Sequence, residues 1–83
     1  MMTFEEWQAT RKSVAPVAIQ SVLENHFGYV PDDAIGAYEY EPGVVAALKS
    51  GQYFTHIGRS EYTGTLAAVE QKLWDDYAKG EVG

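Results

Sequence analysis

TLAAVEQKLWDDYAKG, residues 65–80, is the stretch against which the remainder of the chain is read. Leu66, Val69, Leu73 and Tyr77 recur at three- and four-residue steps with Trp74 beside them, the spacing that draws one apolar stripe along a helix. Thr65 is suited to cap the first free amides, Lys79 to sit among the last carbonyls, and Gly80 to end the helix in a left-handed conformation. A stripe of this kind needs a cover, and the aromatic-rich middle of the chain is the segment able to supply one.

Outward from that helix, QYFTHIG (52–58) alternates Tyr53, Thr55 and Ile57 against Phe54 and His56, and reads as a strand with apolar groups on both faces. IGAYEYE (35–41) alternates as well, with Tyr38 and Tyr40 directed to a core and Glu39 and Glu41 to water. Pro42-Gly43 between them signals a turn of type II. VVAALKSG (44–51) is open to a strand or a helical turn, and its flanking turns favour the strand. At the start, Thr3 and Glu6 form a capping-box pattern for a helix from Phe4 to about Ser13. Pro16 interrupts it and opens a second helical segment, which Gly28 stops. Tyr29–Asp33 is a connection, and the final EVG is expected to fray. The expected fold is a single α+β domain over residues 1–83: N-terminal helices, a three-stranded antiparallel meander (strands near 35–41, 44–49 and 52–58), and the C-terminal helix, all packed on one face of the sheet.

Eighty-three residues support one modest core. Without cysteine there is no disulfide framework, thiol nucleophile or thiolate zinc site. The formal charge of −6 is spread over every third of the chain, which disfavours direct nucleic-acid binding and steers a basic partner inward. The start carries no cationic leader pattern and no long apolar run occurs, so a cytoplasmic protein without a membrane segment is expected.

THIGRSEY (55–62) is the most enzyme-like group, with His56, Arg59, Ser60 and Glu61 in one short stretch. A general-base histidine needs a nucleophile and an orienting group within hydrogen-bond reach, and adjacency along a strand does not arrange this. A small hydrolase using His56 is therefore an alternative reading only, and no catalytic residue is assigned. The two histidines, Asp32-Asp33 and Asp75-Asp76 include enough ligand types for zinc, but the histidines lack i,i+4 spacing and no HExxH motif occurs, so no metal and no cofactor is expected. His26 fits the dipole at a helix end. Glu70, Asp75 and Asp76 are assigned to the polar flank of the last helix.

The tyrosines are the compositional anomaly. They could stack single-stranded bases, but few cations accompany them. They also suit a core that covers Leu73, Trp74 and Tyr77, and a protein interface, where large rigid side chains anchor contacts. The expected function is a small acidic, non-enzymatic module that binds a protein partner with a basic surface, through Tyr38, Glu39, Tyr40, Glu41, Phe54, His56, Arg59 and Glu61. A structural or homodimeric domain is the alternative, since a short meander leaves strand edges. In length and charge the chain resembles the small acidic proteins with which phages and mobile elements occupy the nucleic-acid channel of a host defence protein. That likeness is one of composition, and it implies an inhibitor of a basic, nucleic-acid-binding host protein.

Overall fold

The alternation at 35–41 and 52–58 is realised in a sheet of five strands, not three. In the computed structural model, which describes residues 1–82, the elements are α1 (Phe4–Gln8), β1 (Lys12–Ser13), a 3-10 turn (Pro16–Ala18), α2 (Ile19–Phe27), β2 (Ala34–Tyr40), β3 (Gly43–Leu48), β4 (Tyr53–Ile57), β5 (Ser60–Gly64), α3 (Leu66–Leu73), a π-turn (Trp74–Ala78) and α4 (Lys79–Val82). The strands pair antiparallel in chain order, β1-β2-β3-β4-β5. The two additional strands have physical reasons for escaping the sequence pattern. Lys12 and Ser13 are both exposed and too few to show a period, and β5 carries only Tyr62 and Gly64 as partly buried residues.

The helices cover both faces of this sheet, which corrects the expected one-sided packing. β3 decides it. Val45 enters one core with Trp7 of α1, Tyr40, Val69, Leu73, Trp74 and Ala78, whereas Val44, Ala46 and Leu48 enter a second core with Leu23 of α2, Ala37 and Phe54. A strand buried on both sides reads as a continuous apolar run, which is why GVVAAL shows no alternation of polarity. Among the described residues no helix is long and apolar enough to cross a membrane.

The N-terminal capping box forms as its spacing implies, with the Thr3 hydroxyl accepting from Glu6 N at 3.2 Å and Glu6 Oε1 accepting from Thr3 N at 2.9 Å. The helix ends at Gln8 and does not continue to Ser13. Thr10 marks the break: its hydroxyl donates to Trp7 O at 2.6 Å and accepts from Glu41 N at 2.9 Å, turning the chain onto the sheet. α2 runs from the proline-led turn to a left-handed Gly28 as the sequence implies.

The β2–β3 turn centres on Glu41 and a cis Pro42, a type VI arrangement, and not on Pro42-Gly43. Gly43 instead begins β3 at φ +123°, where an added Cβ would lie 2.9 Å from Leu73 Cδ2; both the backbone and the close helix contact demand glycine.

α3 keeps its Thr65 cap, but the helical path passes Gly80 and continues to Val82. Gly83 lies outside the described residues. The π-turn changes the phase of the stripe, since a wider turn rotates the chain less per residue and the position one turn after Leu73 falls to Ala78. Trp74 and Ala78 follow Leu73 into the core, and Tyr77 moves out to 37% exposure.

Candidate functional site

The residues expected to form one binding surface are distributed over both faces of the sheet. Tyr40 and Phe54 are buried in opposite cores. Tyr38 stacks on Tyr53 with ring centres 6.1 Å apart, and the Arg11 guanidinium lies 5.4 Å from the Tyr38 ring. Glu39 is exposed opposite Lys12 on β1. Glu41 and Arg59 are exposed in the β2–β3 and β4–β5 turns, which antiparallel order places at the same end of the sheet. His56 and Glu61 are cross-strand partners at that end, with Nδ1 and Oε2 3.9 Å apart.

Tyr29, assigned by sequence to a connection, joins those two. It follows the Gly28 cap, so the end of α2 aims its ring at β4, where it packs edge-on to His56 and Phe54. Its hydroxyl is 2.8 Å from His56 Nδ1 and donates to Glu61 Oε2 at 2.8 Å. His56 Nε2 faces Gly58 O at 3.0 Å, an atom that only accepts. The hydroxyl has one proton, so it donates to one neighbour at a time, while both imidazole nitrogens of His56 are engaged, one by Tyr29 and the other by Gly58 O. The result is a chain of histidine, tyrosine and carboxylate. His56 bonds Tyr29 and Gly58, not Ser60.

Beside this chain the sheet opens. β3 and β4 are in register only at Ala46–Phe54 and Ala47–Tyr53; beyond them the Thr55 hydroxyl, fully buried, donates to Val44 O at 2.8 Å where a ladder amide would stand. A cleft of about 180 Å³ lies in this gap, walled by Phe27, Val44, Ile57, Leu73 and Tyr77, with His26 and His56 beside them. His26 Nδ1 lies 3.1 Å from Val22 O in the last turn of α2.

The clearest residue missed from sequence is Glu70. Placed on a polar helix flank by its neighbours, it is 1% exposed and accepts from Gln8 Nε2 at 2.7 Å, Arg11 at 2.7 Å and the Tyr40 hydroxyl at 2.6 Å. Its position one residue after Val69 on the apolar stripe was the available signal. The network ties α1 and the β1 approach to α3, and it completes the hydrogen bonding of a carboxylate that burial alone would penalise. Among the described residues, no three histidine, aspartate or glutamate side chains converge as a metal site would require.

Both tyrosine networks favour the neutral phenol. Burial first, then the Glu70 hydrogen bond, pushes the Tyr40 hydroxyl far above its ordinary range, and desolvation followed by Glu61 pushes Tyr29 up to about 12. Groups with raised folded pKa values contribute stability that is present below the unfolded value, about 10 for tyrosine, and lost as pH rises through the folded value. The domain is therefore expected to lose stability from about pH 10 upward. Urea midpoints measured across that range should fall for the parent chain and fall less steeply for Tyr40→Phe; parallel curves would remove Tyr40 as the cause.

No protein-family model, curated protein or solved structure matches this chain.

Proposed function

We propose that this domain is a non-catalytic binding module that recognises a basic surface on a partner protein. The observation that carries the reading is the disposition of charge. Every aspartate and glutamate except Glu70 is an exposed residue, and Glu70 engages Arg11, one of only six cationic side chains. The surface is thus left strongly acidic. Glu41 and Glu61 stand at the end of the sheet where the cleft opens, so long-range attraction and a short-range apolar contact are available side by side. The aromatics are largely committed to packing, through Trp7, Tyr40, Phe54 and Trp74 in the cores and the Tyr38–Tyr53 stack, which favours a protein partner over stacked bases.

Electrostatic recognition predicts that a partner recovered from the native cell at low salt is lost at high salt. With that partner purified, Glu39→Lys combined with Glu41→Lys should slow association about tenfold or more, because rim charges act mainly on the on-rate, and should lower stability by no more than about 1 kcal/mol, through the Lys12 that stands opposite residue 39. Equal association after reversal would defeat the mechanism. For a partner that itself binds DNA or RNA, competition with that nucleic acid separates an inhibitor filling its channel from a module docking elsewhere.

A further inference from the structure

We propose that two copies of this chain pair antiparallel along β5, about a two-fold axis at Tyr62. This is independent of the basic-partner reading and uses backbone groups where that reading uses carboxylates. Among the described residues β5 ends the sheet, so one of its sides has no strand neighbour. The register shows which groups that side presents. Ile57 and Ser60 close a two-residue turn, with Gly58 at φ +60° as a type II′ turn requires, and such a closing pair is hydrogen-bonded. Bonding alternates along an antiparallel ladder, so Thr55–Tyr62 and Tyr53–Gly64 also bond inward. Glu61 and Thr63 then turn their amides and carbonyls away from β4.

That outward pattern is self-complementary. With Tyr62 opposite its own copy, Glu61 faces Thr63 of the second chain and Thr63 faces Glu61, so each pair exchanges two backbone hydrogen bonds. No like charges stand directly opposite in this register, which is the arrangement that would oppose pairing. On the α3 side, Tyr62 donates to Asp76 at 2.7 Å and lies 5.3 Å from Lys72 Nζ, so each copy brings one anion and one cation to the axis. A groove of about 300 Å³ runs between β5 and α3, lined by Glu61, Tyr62, Thr63, Ala68, Val69 and Lys72, and leaves room beside the edge for the incoming strand. The contact is short and each chain carries −6, so association is weak and strengthens with salt, opposite to the behaviour expected of a basic partner.

Sedimentation velocity on the full chain, from about 10 to about 500 µM at low and high salt, should show a monomer passing to a dimer, more readily at high salt. Amide exchange over the same series should show protection growing at Glu61 and Thr63 and not at Tyr62, whose amide is already bonded to β4. Thr63→Pro removes an outward N–H without breaking a ladder bond and should abolish the dimer. Thr63→Glu, at an exposed position, places like charges opposite each other and should weaken it, while Thr63→Lys should tighten it by about tenfold. A monomer at the highest concentration in high salt would overturn the proposal. So would a dimer that survives Thr63→Pro and Thr63→Glu unchanged, or protection appearing elsewhere while Glu61 and Thr63 stay fast.

Discussion

Replacing Trp7 by alanine should destabilise the domain by about 3 to 5 kcal/mol, the range for emptying a large aromatic site in a core. Trp7 is fully buried, stacks on Tyr40 with ring centres 4.6 Å apart, and lies 5.6 Å from the Trp74 ring. Its indole also donates to Pro42 O at 2.7 Å, tying the N-terminal helix to the β2–β3 turn. Alanine removes packing, aromatic contact and hydrogen bond together. Against the roughly 5 to 15 kcal/mol of a whole domain, the loss is enough to leave a marginal fold. Trp7→Phe retains most of the packing and should lose about 1 to 2 kcal/mol through the unpaired Pro42 carbonyl. Urea denaturation of the two variants checks both values. An unchanged midpoint for Trp7→Ala would show that α1 does not close the core.

Glu70→Ala should cost about 3 kcal/mol, a comparable effect with a different origin. The lost side chain contributes little apolar area, but its removal leaves the Tyr40 hydroxyl buried without an acceptor and deprives Gln8 and Arg11 of theirs. Arg11→Ala should cost only about 1 kcal/mol, because the guanidinium is partly exposed and Glu70 retains two donors. The inequality between the two ends of one ion pair is the test: an Arg11→Ala loss as large as that of Glu70→Ala would mean that the buried carboxylate depends on the guanidinium charge and is not sustained by its two neutral donors. A double-mutant cycle measures the coupling directly.

Elements whose cause is local were legible in advance. Thr3 with Glu6, Pro16 and Gly28, and the alternation through Tyr40 and through Phe54 each depend on spacing within a few residues, and all recur in the structure. The corrected features depend on partners distant in sequence. Lys12-Ser13 is a strand only because β2 offers its edge, and Ser60–Gly64 only because the Gly58 turn folds it back on β4. The two-sided sheet was foreshadowed by the apolar runs of β3 and β4, yet a run buried on both faces does not say which helix takes which face.

The candidate site divides in the same way. His56 and Glu61 are drawn together by hairpin register, a local consequence of a two-residue turn, whereas Tyr29 reaches them across the packing of α2 on the sheet. By itself the amino-acid sequence determined an acidic, cysteine-free chain, its helix starts, and the strands at 35–41 and 52–58, because composition and short-range periodicity act before any tertiary contact exists. Only the tertiary structure decided that Glu70 is buried, that Tyr40 and Phe54 lie in opposite cores, and that the edge of β5 remains open. Each of these follows from which surfaces meet across the sheet, and desolvation and hydrogen bonding set that choice after the local elements have formed.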